Sequence, residues 1–455
     1  MKNNIFKIIS IALIISIIGC SKKLDISPKQ DIDQLEALNT NADVQAALVG
    51  TYTVLGGINF YGGRMFVVSE LLADDNELIW NGTFQGLTQI FNKTIPVNND
   101  FALNTWLAGY RAINNANNVL SALGVVTDAN KDRVEGEAKF LRGASYFALV
   151  QLYAKDWSNG NEVPNSNPGV PLVLTPTREI TEANKVPRAT VAAVYTQILS
   201  DLKDAEAKLP NSNGFFATND VAAALLARVY LQQRDYQNAL TEADKVISSN
   251  YSLAKTYADA FPFNGGQPGA NTVEDVFAMQ VTTNSGVNDF QTFFSASGRG
   301  DITIADAHLA LYEPEDKRLS LFYNSGGSVY TGKNDNLYGN VHTIRLAEMY
   351  LTRAEANFRL NSAVGNTPLD DLNIIRKRAG LANKLLPITL DDILKERKLE
   401  LAFEGFNLSD IKRLGIVTGY FTGGGGLPAN SPKLVLPIPE RERKVNPNLT
   451  QNEGY

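Results

Sequence analysis

Apolar residues recur at helical spacing along most of this chain, and the pattern is tightest over 221–247, VAAALLARVYLQQRDYQNALTEADKVI. Ala227, Tyr230, Tyr236, Ala239, Ala243 and Val246 fall three or four apart except across Arg234-Asp235, where the chain must reverse. Small residues at 227, 239 and 243 let two helices approach, and the two tyrosines fill the space between them. This small/aromatic alternation across a tight turn is that of a tetratricopeptide unit, which cannot bury its apolar face alone. An ordinary helical hairpin would show much of the same pattern. Further helices are predicted over 41–55, 104–123, 131–153, 190–209, 343–360, 368–379 and 390–414. Thr389 with Asp392 makes a capping box for the last of these. The fold class expected is all-α, tetratricopeptide-like helical hairpins interrupted by long loop-rich insertions.

Two stretches break the period. Over 56–94, Tyr61, Phe66, Trp80, Phe84 and Phe91 lie among glycines, with a helix expected only over 64–72. Over 250–338, ten glycines between Gly265 and Gly339 mix with many Phe and Tyr residues. Such aromatic content argues against disorder. Rings kept in a loop are either buried beneath it or used in binding. The expectation is that both stretches converge on one face. Trp80 would be a stacking platform there, and Asp75 and Asn81 would contact ligand hydroxyls. Tyr61 and Phe84 would join from the first stretch, and Phe290, Phe294, Tyr323 and Tyr330 from the second. Trp80 has two readings, core plug or platform for a sugar ring. Asp74 suits a local cap, Trp106 suits the core, and Trp157 is open.

Composition narrows the function. The formal charge is −6, with no basic block to suggest a nucleic-acid partner. Lys2 and Lys7 flank a short apolar run over 8–18, too short to span a bilayer but suited to a signal peptide. It ends Ile17-Ile18-Gly19-Cys20, which resembles a bacterial lipobox; the alternative is a plain secretory leader. Cys20 is the only cysteine, so it is the expected lipidation site and no intrachain disulfide is possible.

Candidate chemistry is sparse. Two histidines, His308 and His342, do not make a zinc site, and no GxSxG or phosphate-loop motif occurs. No metal, cofactor or catalytic residue is expected. Glu396, Glu400 and Glu404 share one helix face, and such carboxylates could serve glycoside hydrolysis. Neighbouring Arg397, Lys398, Lys412 and Arg413 favour a structural ion network instead. Asp74, Asp75 and Glu77, or Asn334-Asp335-Asn336, are oxygen-rich but read as solvated rather than calcium-binding. Gly423 to Gly426 reads as a flexible loop.

Several stretches together resemble the SusD/RagB family of Bacteroidetes surface lipoproteins. The closing residues LPIPERERKVNPNLTQNEGY carry most weight. Within them Leu436-Pro437-Ile438-Pro439, Glu442, Asn446-Pro447, Leu449, Gln451-Asn452 and Gly454-Tyr455 fall at the family's spacings. ERKLELAFEG from Glu396, RLAEMYLTRAEA from Arg345, RAGL from Arg378, EAKFLR from Glu137, Gly169-Val170-Pro171-Leu172 and CSKKLDISP from Cys20 match as well. Asn407-Leu408 departs from the family's Arg-Trp, Glu453 replaces a common proline, and Lys22-Lys23 differ from acidic export tags. The resemblance implies a leader over 1–19, a lipidated tether over 20–40 and one family domain over 41–455, with 343–455 its C-terminal helices and tail. It further implies no enzyme activity and a glycan ligand, most often an oligosaccharide, with a peptide the alternative. The expected partner is a SusC-like TonB-dependent transporter, and the expected location is the outer membrane, anchored at Cys20 and facing the exterior. A tetratricopeptide scaffold without a small ligand is the remaining alternative.

Overall fold

The computed structural model describes residues 38–157, 166–179 and 181–455. The expected leader, Cys20 and most of the tether lie outside the described residues. In chain order the elements are α1 (Asn41–Leu55), α2 (Arg64–Ala73), β1 (Leu78–Trp80), α3 (Gln85–Phe91), α4 (Asp100–Ser121) and α5 (Asp128–Tyr153). There follow β2 (Pro168–Pro171), β3 (Arg188–Thr190), α6 (Val191–Lys208), α7 (Asn219–Gln233), α8 (Tyr236–Ile247) and β4 (Asp275–Met279). Next come α9 (Asp289–Phe294), β5 (Ile302–Ile304), α10 (Asp306–Leu309), β6 (Phe322–Ser325), β7 (Ser328–Thr331) and β8 (Val341–Arg345). The chain closes with α11 (Leu346–Leu360), α12 (Pro368–Arg378), α13 (Leu390–Glu400), α14 (Asn407–Leu414) and α15 (Glu440–Val445).

The fold is all-α in its architecture. Helices stack on their sequence neighbours from α4 through α8, and α11 returns onto α8 and carries α12 and α13. The α7–α8 hairpin forms as the spacing requires. Arg234 turns left-handed at φ 60°, and the Asp235 side chain accepts from the Asn238 amide to start α8. Ala227, Ala239 and Ala243 are wholly buried, and Arg359 lies 4.8 Å from the Tyr236 ring. Thr190 and Thr218 cap α6 and α7, and Thr389 with Asp392 forms the expected capping box. One hydrophobic cluster runs from Val44 to Leu449.

The motif residues tie these helices together by buried ion pairs. Arg142 of α5 grips Asp201 of α6 through two bonds of 2.7 and 2.8 Å. Arg228 holds Glu348, Arg353 holds Asp371, and Arg413 holds Glu355, each bidentate. Fork-to-fork pairing of this kind fixes orientation as well as charge.

Several expectations are corrected. The helix expected over 390–414 is two helices, because Phe403 and Gly405 adopt φ of 62° and 88° and turn the chain between α13 and α14. The stretch 56–94 holds β1 and α3 besides its helix, and 250–338 holds four strands and short helices rather than loop alone. Two short strands also form, β2 pairing antiparallel with β3. The tail 436–455 is an ordered strap: Leu436 N–H donates to Leu152 O, Asn452 Nδ2 to Tyr153 O, and Tyr455 Oη to Val435 O. One short helix, α15, lies within it.

Candidate functional site

The Asp74 side chain ends α2 by accepting from the Glu77 and Leu78 amides at 3.1 and 2.8 Å. That cap turns the chain into β1, which pairs antiparallel with β5: Leu78 with Ile304, Ile79 with Thr303, Trp80 with Ile302. The two aperiodic stretches are therefore joined strand to strand. The β6–β7 hairpin packs beside β5.

Trp80 sits on this junction, half-buried, with Nε1 donating to Thr88 Oγ1 at 2.8 Å and its ring 6.3 Å from Phe293. Gly82 lies beneath the indole, where an added Cβ would come within 2.3 Å of the ring. The glycine is what allows the chain to pass under the indole. Asn81 is exposed, its amide held to Thr303 Oγ1 at 3.3 Å and its N–H to Asp301 O at 2.8 Å. Phe84 is half-buried, edge-on to Phe101 and Phe293, and covered by Arg299 at 4.7 Å. Arg299 is held flat by Asp301 at 2.7 Å and by Thr83 Oγ1 at 3.1 Å. Gly300, at φ 62°, lets the chain pass below Tyr330, where an added Cβ would approach the ring to 3.0 Å. Tyr330 stacks on Tyr323 at 5.8 Å, and Tyr323 donates to Asp335 at 2.8 Å. The result is a shallow surface of half-exposed rings edged by an amide, hydroxyls and a fixed guanidinium.

Not every expected residue is on it. Tyr61, Phe290 and Phe294 are buried, with Tyr61 Oη donating to Ala144 O and Phe290 stacked on Phe66, so they are core rather than ligand-facing rings. Asp75 is half-buried and turned away into the loop over 418–427. Its carboxylate lies so close to Gly419, Gly424 and Gly426 that an added Cβ at any of them would come within 2.7 Å, and at Gly426 within 2.1 Å. The glycine run is thus the wall of a carboxylate pocket, not an unattached loop. Trp106 is buried between Tyr110 and Tyr153, and Trp157 tilts against Tyr195 at 5.1 Å. Arg299, Asp301, Thr83 and Thr303 were not anticipated. Arg299 is the only charged residue between Asp289 and Asp301, and that isolation was the available signal.

The acids beneath this surface are not solvated. Glu77 is buried against Lys398 and His308 Nδ1, both at 2.8 Å, and His308 Nε2 meets Tyr312 Oη at 3.1 Å. Burial alone would raise Glu77, but Lys398 and His308 hold it at about 2, while burial lowers His308 against the pull of Glu77. Burial raises Asp74 to about 6 and Glu70 to about 7. Glu396, Glu400 and Glu404 are all buried and compensated: Glu396 by Arg318, Glu400 by Arg345 and Arg378, Glu404 by Lys333 and Arg345. Carboxylates so enclosed and so paired are structural rather than an acid–base couple.

The fold and face define a helical-repeat protein that presents a loop-built surface. Residues 24–231 match the family model described as starch-binding associating with outer membrane, and residues 321–455 match the SusD family model. The chain is 27% identical to the SusD-like protein P2 of Formosa agariphila, with 99% of each chain covered. It is 25% identical to the starch-binding protein SusD of Bacteroides thetaiotaomicron, over 72% of this chain and 74% of that one. It also matches the crystal structure of a SusD superfamily protein from Bacteroides thetaiotaomicron, with TM-score 0.78 and 25% identity, covering 91% of this chain and 99% of the other. The chain belongs to the SusD/RagB family.

Proposed function

We propose that this protein binds an oligosaccharide on the surface formed by Trp80, Asn81, Phe84, Arg299, Tyr323 and Tyr330. The carrying observation is the half-exposed Trp80 ring, locked by Thr88 and edged by Asn81 and Arg299. Flat apolar faces with a few fixed polar groups are how neutral sugars are held. The starch-binding description of the matching family model and the printed name of the Bacteroides thetaiotaomicron relative support this reading. The protein makes and breaks no bond; it hands its ligand to a SusC-like TonB-dependent transporter. Lipid on Cys20 anchors it to the outer membrane, facing outward. Among the described residues no helix is long and apolar enough to cross a membrane.

Calorimetric titration of the purified protein with oligosaccharides selected on a glycan array tests the binding step. Saturable binding that weakens in Trp80→Ala supports it, and indifference to that change removes Trp80 from the site. Cys20→Ala should leave the membrane fraction in cells lacking the transporter; retention there would refute the anchor.

A further inference from the structure

The stretches that build the proposed surface are unusual in charge. In a chain with 20% charged residues, none occurs over 260–273, 276–288 or 319–332. Four charges close to them are already engaged. Asp289 is buried against Arg64, Lys333 is buried on Glu404, Arg299 pairs with Asp301, and Asp335 accepts from Tyr323. Within those three segments no charge reaches solvent, and the exposed groups are mainly amides, hydroxyls and rings.

These groups form a continuous strip. From Trp80 the β1–β5 pairing leads to Gly300, over which Tyr330 lies, and Tyr330 stacks on Tyr323. Tyr323 bonds Asp335, and the next residue, Asn336, donates to Gln267 O at 3.1 Å. Beyond that link the chain over 261–270 carries exposed Asn264 and Gln267 beside Phe263, which is 66% exposed. Leu337, 47% exposed, lies against Gly266. Phe263 follows Phe261, whose ring is buried below Lys333 and Arg345, so the backbone that carries the exposed ring is fixed from beneath.

We infer that the ligand is an uncharged oligosaccharide of several sugar units, lying along this strip from Trp80 through Tyr330 and Tyr323 to a second platform at Phe263. The inference rests on the binding reading above. A free ring amid neutral amides offers a sugar both its apolar contact and its hydroxyl partners. An anionic glycan would find no unpaired cation along the way, only the Arg299 guanidinium already neutralised by Asp301. A monosaccharide would not span the successive contacts between the two ends.

A glycan array carrying neutral, uronate-bearing and sulfated oligosaccharides identifies the class, and calorimetry on a length series of the best binder measures the reach. Phe263→Ala, at an exposed ring, should leave the melting temperature unchanged. It should weaken the longest oligosaccharide several-fold and leave di- and trisaccharides unaffected, whereas Trp80→Ala should weaken both. Equal affinity of Phe263→Ala and the unaltered protein at every length overturns the second platform. Preference for uronate or sulfated glycans overturns the uncharged class. Failure of the unaltered protein to bind any arrayed glycan overturns the functional reading itself, a result that neither of the other two produces.

Discussion

The ion lattice around Arg345 and the ring surface around Trp80 handle polarity in opposite ways. Arg345 is about 2% exposed and meets Glu274, Glu400 and Glu404, with Arg378 and Lys333 completing the set. Every charge there has a counter-charge, so nothing remains to offer a ligand. At the Trp80 surface the polar groups are mostly neutral and half-exposed, and their fixed geometry leaves donors and acceptors turned outward. Both regions are rigid, the first because satisfied charges lock helices and the second because strands and glycines lock rings. Family motifs populate the first region: Arg345, Glu348, Arg353 and Glu355 come from RLAEMYLTRAEA, and Glu396, Glu400 and Glu404 from ERKLELAFEG. The matching residues therefore preserve the scaffold, and the surface that would distinguish one ligand from another carries no motif.

The largest effect should come from breaking the lattice. Arg345→Ala leaves three buried carboxylates without their shared cation, and removing one partner of such a group costs about 3–5 kcal/mol. Denaturant unfolding should show that loss. A change below 1 kcal/mol would mean that Arg378 and Lys333 suffice, and the contrast between the two regions would weaken. The strap comes next: Ile438 is wholly buried and anchors the C-terminal tail, so Ile438→Ala should cost about 2–5 kcal/mol. An unaltered midpoint would show that the tail rests on the helices without stabilising them.

What the sequence disclosed follows the same division. The α7–α8 hairpin was legible because period and small residues act locally. The ion pairs were partly legible, since Glu396, Glu400 and Glu404 announced a shared face, but their partners at 318, 345 and 378 are brought together only by the fold. β1 was illegible, because three residues carry too little periodicity and its partner lies over 200 positions away. Tyr61, Phe290 and Phe294 look like Tyr330 in sequence; only packing decides which ring is covered. Asp75 looked like a free acid because the glycines that enclose it come from the far end of the chain.

Acid and neutral pH should act on different buried acids. Glu77 and Glu400 are held at about 2 in the folded protein, below the ordinary 4.5. Their stabilisation is present above pH 4.5 and is lost as pH falls toward 2. Glu70, which accepts from the Gly405 amide, has the opposite sign: raised to about 7, it favours the folded state below pH 4.5 and loses that contribution as pH rises to 7. Stability should therefore peak near pH 4.5–5. Glu70→Gln should flatten the decline between pH 5 and 7, a change on the order of 3 kcal/mol if the full shift is realised. Parallel pH profiles for the two proteins would show that Glu70 is ordinary.

The smallest effect in stability should be the most informative for function. Trp80 is half-buried, bonded through Nε1 to Thr88, and 6.3 Å from Phe293, so its loss removes one hydrogen bond and part of a ring contact. The bond is worth about 1 kcal/mol. Stacking of an aromatic pair is worth about 0.5–1.5 kcal/mol beyond area burial. Trp80→Ala should therefore weaken glycan binding about tenfold while stability falls by only about 1–2 kcal/mol. Trp80→Phe keeps a stacking face but loses the bond to Thr88, and should recover most of the affinity. If Trp80→Ala instead unfolds the protein as Arg345→Ala should, the indole belongs with the scaffold. The binding surface must then centre on Tyr323 and Tyr330, whose stacked rings are held by Asp335 and Ala296 without help from β1.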